Sequence, residues 1–274
     1  LSHNNHLSDT KTQFPGVIRA LQEAGITVDV VGGTSQGAFC GALFARYPDD
    51  YQKVADAFRV MAADTASMKE KLLDLTLPMA SIFAGRNFNR GIKKLLGKLR
   101  IQDLVLKFFC VSVDIQNQNM VVHTKGLLWK FVRASMGLTV YLPPISENGS
   151  LLVDGVYLNS LPADVMKYQM GARTVIAVDV SQEYKREYYE YGTYLSGWWV
   201  LWNSWNPFVK TVPVPSMGDI SDMLIWVSSE KHRKAVKNVC DLHLTPPIQD
   251  VGKPSFQKSE REGQTSYGLR EFLF

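Results

Sequence analysis

Apolar positions along this chain change period several times, and each change marks an element. Val17, Ile18, Leu21 and Ala24 follow helical spacing behind Pro15, and Gly25 stops them, so a short helix is expected there. Ile26, Val28, Val30 and Val31 form a β-branched run that ends at Gly32-Gly33, after which Ala38, Gly41, Ala42 and Ala45 restore the helical period. Helical patterns recur over 51–61, 68–75 and 88–99. FFCVSVDI, residues 108–115, reads as a buried strand, with 120–123 as its neighbour after a polar turn. Residues 127–136 look helical up to Gly137, and Tyr141-Leu142-Pro143-Pro144 ends regular structure. LLVDGVYLNSLPADVM, residues 151–166, reads as strand, Asp-Gly turn, short strand and helix start, with Pro162 at a first helical position. A further buried strand is expected over 174–180 and a helix over 223–239. Strands alternating with helices from Val17 to Val180 predict an α/β fold with a mainly parallel central sheet and helices on both faces.

The same pattern divides the chain. Residues 1–13 have no periodicity and read as an irregular segment; residues 14–182 form the core; residues 183–274 are an aromatic-rich and helical extension of the same domain. In that extension Tyr188, Tyr189, Tyr191, Tyr194, Trp198, Trp199, Trp202 and Trp205 crowd together. We expect them to pack onto the domain, with a membrane interface as the alternative use of amphipathic rings.

Composition narrows the partners. Hydrophobic residues make up 46% and charged residues 20% of 274, which suits a packed domain rather than a disordered chain. A net charge of +4 is too small for a nucleic-acid binder and mildly favourable at an anionic membrane surface. No apolar run is long enough to span a bilayer, and residues 1–12 lack the apolar centre of a signal peptide. Cys40, Cys110 and Cys240 are widely spaced and read as free thiols rather than disulfides or a metal site. Arg90, Lys93, Lys94, Lys98 and Arg100 form a basic band, expected to be a solvated helix face.

The chemistry concentrates in Gly33-Thr34-Ser35-Gln36-Gly37, where a strand meets a helix. A serine on so sharp a turn is held in a strained backbone conformation, and glycine on either side lets strand and helix close together. The turn also leaves Ser35 at a helix N-terminus, where free N–H groups and the positive dipole end stabilise an oxyanion. Ser35 is thus a candidate nucleophile. A triad would draw its base from His123, His232 or His243. A Ser–Asp dyad would use a partly desolvated carboxylate: Asp154 in Val153-Asp154-Gly155, with Asp114 and Asp179 also ending apolar runs. Taken alone, Asp154-Gly155 is a hairpin-turn signature.

Gly33-Thr34-Ser35-Gln36-Gly37 together with Asp154-Gly155 resembles the patatin-like phospholipases, and most closely their neuropathy target esterase branch. The stretches AGITVDVVGGTSQGAFCGALFA, LWKFVRASMGLTVYLPP, LLVDGVYLNSLPADVMKYQMGARTVIAVDV and LSGWWVLWNSWNP carry the likeness. It implies a patatin-like fold and a dyad of Ser35 as nucleophile and Asp154 as base, with Gly33, Gln36, Gly37 and Gly155 shaping the motif. It implies no cofactor or metal. The implied reaction is hydrolysis of lysophospholipid or phospholipid acyl esters through an acyl-enzyme, at an intracellular membrane such as the endoplasmic reticulum. Three departures bear on activity. The glycine-rich oxyanion loop of the family is expected ahead of Pro15, where Ser8-Asp9-Thr10-Lys11-Thr12-Gln13 stand instead. Gln36 replaces an aliphatic residue, and Val156 replaces a second glycine and is expected to crowd the dyad. Losing one oxyanion donor costs about 10²–10³ in kcat, so weakened activity is expected, with an impaired lipid-binding protein as the rival reading.

Overall fold

β2, Lys107–Asp114, reads KFFCVSVD and is buried from its second residue onward. In the computed structural model, which describes residues 14–66, 72–77, 79–180, 188–205 and 212–246, this strand organises the sheet. β1 (Val30–Thr34) runs parallel to it, while β3 (Asn119–His123) and β5 (Ser150–Asp154) run antiparallel, and β4 (Ile145–Glu147) extends the sheet beyond β5. A second, two-stranded parallel sheet joins β6 (Ile176–Val178) and β7 (Leu242–Leu244). The fold is α/β as expected; the sheet is mixed, parallel at its β1–β2 centre and antiparallel where hairpins add to it.

The register places the site. Cys110 and Val111 pair with β1 on one side and β3 on the other. Ser112, Val113 and Asp114 pair with β3 and with β5. A strand has two edges, so β1 and β5 must share the edge opposite β3. They approach from opposite ends: Thr34 closes β1 opposite Val111, and Asp154 closes β5 opposite Ser112. Two strand C-termini therefore meet head to head across one residue step of β2.

Helices cover both faces. α1 spans 14–23, followed by α2 (Gln36–Arg46), α3 (Tyr51–Ala66), α4 (Arg86–Leu96) and α5 (Leu128–Ser135). Side chains alternate along a strand, so Phe108 and Cys110 face the layer of α2 to α5. Phe109 and Val111 face the opposite layer, where a π-helical turn, Val165–Gln169, supplies Val165 and Met166 and its C-cap supplies Met170. α2 is buried continuously from Ala38 to Ala45, and its small residues permit close approach to the sheet. A Cβ on Gly41 would lie 2.9 Å from a Val31 methyl. The remaining helices are α6 (Gly197–Trp205) and α7 (Met217–Val236).

Several expectations need correction. β1 begins at Val30, not Ile26, because its partner on β2 begins at Lys107. The hairpin turn in this region is Asn148-Gly149, both at positive φ, joining β4 to β5. Asp154-Gly155 instead leads into a 3₁₀ turn, Gly155–Tyr157, and no short strand follows. α7 starts at Met217 rather than at 223, fixed by a capping box between Ser216 and Asp219. The aromatic stretch does not pack its rings inward: Trp198, Trp202 and Trp205 are 82%, 71% and 81% exposed. Residues 1–13, 67–71, 78, 181–187, 206–211 and 247–274 lie outside the described residues, and with them the first half of the helix expected over 68–75. The cysteines are free, and Arg90, Lys93, Lys94, Lys98 and Arg100 are exposed as expected.

Candidate active site

Ser35 stands at the end of β1 with φ 54° and ψ −120°, a positive φ that a residue with a side chain adopts only under constraint. Three contacts supply the constraint. Ser35 N–H donates to Ser135 Oγ at 2.9 Å, and Ser135 Oγ donates onward to the Val111 carbonyl at 2.6 Å. Gly33 admits the tight turn, since a Cβ there would fall 2.4 Å from the Gly37 carbonyl carbon. Thr34 Oγ1 donates to the Asn159 carbonyl at 2.7 Å, tying the end of β1 to the segment after β5. Ser35 occupies the N-cap of α2, yet its hydroxyl makes no cap bond. It donates to Asp154 Oδ2 at 2.8 Å.

Asp154 is 0% exposed. Its Oδ1 accepts from Val156 N–H at 2.9 Å, and its own N–H donates to the Gly137 carbonyl at 3.0 Å. Burial pushes its carboxyl up to about 7, against the opposing pull of the Val156 N–H, the Ser35 hydroxyl and the Arg133 guanidinium. Gly155 is required by the head-to-head junction, because a Cβ there would sit 2.4 Å from the Val111 carbonyl oxygen. Val156 does not crowd the pair apart: its amide is one of the two donors holding the carboxylate. At the start of α2 the helical ladder begins with Ala38 and Phe39 N–H bonding to the Ser35 carbonyl, so the Gln36 and Gly37 N–H groups precede it at the positive end of the helix.

The Ser35 hydroxyl is paired with Asp154 rather than with a histidine. His123 is buried against Phe131, hydrogen-bonded to Ser112 Oγ at 2.6 Å, and burial lowers its ring to about 4. His243 lies on β7 with Nε2 3.8 Å from Asp179, and His232 is on α7. Asp114 is spent on local turn bonds to Gln116, Asn117 and Leu151, and Asp179 pairs with Arg233. Among the described residues no cluster of metal-binding side chains occurs.

Two residues escaped the sequence reading. Ser135 looks like an ordinary helix-end serine, and only the fold brings it across to Ser35. Arg133, two residues earlier on α5, is 1% exposed, with Nε donating to Asn89 at 2.9 Å and Nη2 to the Pro143 carbonyl at 3.1 Å. Desolvation lowers its guanidinium to about 10, while Asp154 and Asp74 favour its charged form. A cation so deeply buried inside an apolar helix pattern is the signal that was available.

Comparison with known proteins now bears on this geometry. The patatin-like phospholipase family matches residues 14–167. The chain belongs to that family. It is 43% identical over 256 residues to patatin-like phospholipase domain-containing protein 7 of Rattus norvegicus, a match covering 92% of this chain and 19% of that protein. Patatin-like phospholipase domain-containing protein 6 of Homo sapiens is 42% identical over 263 residues, covering 94% of this chain and 19% of that protein. Lysophospholipase NTE1 of Meyerozyma guilliermondii is 42% identical over 262 residues, covering 94% and 18%. The chain thus spans about a fifth of the length of these patatin-like relatives. Of the patatin-like motif residues, the structure gathers Gly33, Ser35, Gln36, Gly37, Asp154 and Gly155 at one strand junction, while Ser8 to Gln13 lie outside the described residues.

Proposed function

We propose that this chain is a serine esterase of lysophospholipase type, with Ser35 as nucleophile and Asp154 as its base. The 2.8 Å contact between the Ser35 hydroxyl and a completely buried carboxylate carries the reading. Burial keeps the Asp154 carboxyl near 7, so at neutral pH a substantial ionised fraction is basic enough to accept the hydroxyl proton. As Oγ attacks the ester carbonyl carbon, that proton passes to Asp154. The negative oxygen of the tetrahedral intermediate is stabilised by N–H groups at the start of α2, with Gln36 and Gly37 the candidates. Expulsion of the glycerol oxygen takes the proton back from Asp154 and leaves an acyl-serine. Water, deprotonated by the same carboxylate, then releases the fatty acid.

The lipid substrate follows from relatives named phospholipase and lysophospholipase, and from the apolar surface beside the site. α7 turns Met217, Ile220, Leu224 and Val227 to solvent, positions that share one helical stripe. The helix is tied to the segment that follows β5 and to the loop before β4: Ser228 Oγ donates to the Tyr157 carbonyl at 3.0 Å, and the Tyr141 hydroxyl donates to Asp222 at 3.4 Å. With the exposed tryptophans of α6, this stripe fits the surface of a lipid membrane on which the chain works peripherally; among the described residues no helix is long and apolar enough to cross one.

The test is hydrolysis of lysophosphatidylcholine by the chain, by Ser35→Ala and by Asp154→Asn, with an organophosphonate as a covalent probe of Ser35. Turnover and labelling lost in Ser35→Ala, with turnover abolished in Asp154→Asn, support the dyad. Turnover abolished by substitution of His232 or His243 instead would point to a triad. A folded chain with neither turnover nor labelling would establish the impaired lipid-binding alternative.

A further inference from the structure

Residues 80–110 carry seven Lys and Arg against a single Asp, while the whole chain has 30 basic against 26 acidic residues. The excess positive charge of the chain therefore resides in this one stretch, and the structure sharpens it. On α4, Gly91, Ile92 and Leu96 are buried, and Phe88 and Leu95 pack against the same core. Successive helical residues turn by about 100°, which puts Arg86, Arg90, Lys93 and Lys94 together on the opposite face, within about 12 Å along the axis. All four are exposed, and among the described residues none pairs with an acid. Lys93 Nζ instead stands 4.0 Å from the centre of the Trp129 ring.

A solvated helix face ordinarily mixes signs, as α1 does with Arg19 and Glu23 and α3 with Arg59 and Asp56. α4 has four like charges and no counter-charge, an arrangement that repels itself until an anionic surface faces it. The N-terminal end of the stripe says which surface. Asp74 accepts Gly85 N–H through Oδ2 and Arg86 N–H through Oδ1, both at 3.0 Å, which holds the preceding segment to the first turn of α4. There Leu75 pairs with Phe83, and Thr76 N–H donates to the Ile82 carbonyl at 3.0 Å. Two arms so joined expose Leu75, Leu77 and Met79, the last two at 81% and 92%. An acidic protein or a nucleic acid would match the charges and leave these apolar side chains in water. A bilayer with anionic headgroups matches both. The second arm also bonds the loop before β4, with Ile82 N–H donating to the Val140 carbonyl and Phe83 N–H to the Tyr141 carbonyl. Tyr141 in turn reaches Asp222, so the apolar arms and α7 flank one loop.

We propose that the basic stripe of α4 and the apolar side chains of Leu75, Leu77 and Met79 form a docking surface for bilayers that contain anionic lipid. The cations engage the headgroups, and the three apolar side chains enter the acyl region beneath them. This contact adds charge selection to the membrane reading given above but stands on other residues. It needs no role for Ser35, because binding is read without turnover.

Co-sedimentation with vesicles tests it, using pure phosphatidylcholine and phosphatidylcholine with about one-third phosphatidylserine. The chain should bind the anionic vesicles about tenfold or more tightly, and the gain should fall as salt rises. Arg90→Gln/Lys93→Gln/Lys94→Gln should remove the gain and leave phosphatidylcholine binding as it was. Arg19→Gln/Lys53→Gln/Arg59→Gln loses the same charge from α1 and α3 and should keep it. Leu77→Ser/Met79→Ser should weaken anionic binding about fivefold or more while preserving its salt dependence. Urea unfolding confirms that each variant is folded. No gain for the natural chain, or equal losses in the two triple variants, would overturn the α4 surface. Unchanged binding of Leu77→Ser/Met79→Ser would overturn insertion, and displacement of the vesicles by poly-glutamate would then make the stripe a docking site for an acidic protein. A chain that binds the anionic vesicles but not pure phosphatidylcholine would overturn the α6 surface and support this one.

Discussion

Asp154 and Arg133 are best understood together, since each is buried and each alters the other's charge. The carboxyl is raised to about 7 by burial, with Arg133 pulling the other way. The base must be ionised to accept the Ser35 proton, so kcat/KM for lysophosphatidylcholine should rise with pH through about 7 and level off above it. Arg133→Met removes the nearby positive charge, which raises the Asp154 carboxyl further and moves this limb to higher pH. Arg133→Lys keeps a charge and should leave the limb nearer its original place. Both variants lose hydrogen bonds to Asn89 and Pro143 and should be less stable, so the position of the limb, not the rate at one pH, is the readout. A limb that stays put in Arg133→Met, or moves to lower pH, would show that the guanidinium does not act on Asp154.

The elements around the junction explain why part of this site is legible in the chain and part is not. β1, α2 and β2 follow from hydrophobic period and from the glycines of Gly33-Thr34-Ser35-Gln36-Gly37, because each signal is local. That β1 and β5 share an edge of β2 is a consequence of long-range register, which no local period encodes. Hence spacing left Asp154 alongside Asp114 and Asp179 as candidates, and Asp154-Gly155 resembled a hairpin turn while the true one lay at Asn148-Gly149. Ser135 was invisible for the same reason. It comes from α5, and its hydroxyl joins Ser35 N–H to the Val111 carbonyl across the sheet. Ser135→Ala leaves both groups without this partner and should destabilise the fold by about 1–3 kcal/mol. Because Ser35 loses its backbone anchor, kcat should fall more than KM changes. Urea unfolding and steady-state kinetics on the same preparation separate the two effects, and a variant with lowered stability but unaltered kcat would confine Ser135 to a structural role. The cap of α7 at Ser216 and Asp219 could have been read from the chain; the outward rings of α6 could not, since amphipathic aromatics serve core and surface alike.

The molecule as a whole presents an apolar surface to solvent and holds a costly charge inside, and both features can be measured on the intact chain. For the surface, replacing Trp198, Trp202 and Trp205 together by serine should reduce sedimentation with phosphatidylcholine vesicles while leaving hydrolysis of a short, water-soluble ester unchanged. Loss of both together would mean that α6 supports the site itself. For the interior charge, the direction follows from linkage. Asp154 titrates near 7 in the folded chain, above the ordinary aspartate value it takes when unfolded. A group raised in this way contributes its stability below the unfolded value and loses it as pH rises through the folded one. Ionised Asp154 at pH 8 therefore costs the fold about 4 kcal/mol relative to the protonated form. Asp154→Asn keeps an oxygen for the Val156 N–H and carries no charge at any pH. Its unfolding free energy should exceed that of the natural chain at pH 8 and approach it below about pH 4. Urea titrations at the two pH values decide the matter. An Asp154→Asn chain that is less stable at pH 8 would mean that the carboxylate is stabilised as an ion, too weak a base for the proposed role. The expected opposite pattern, stability gained where activity is lost, is what a carboxylate kept for chemistry rather than for folding should show.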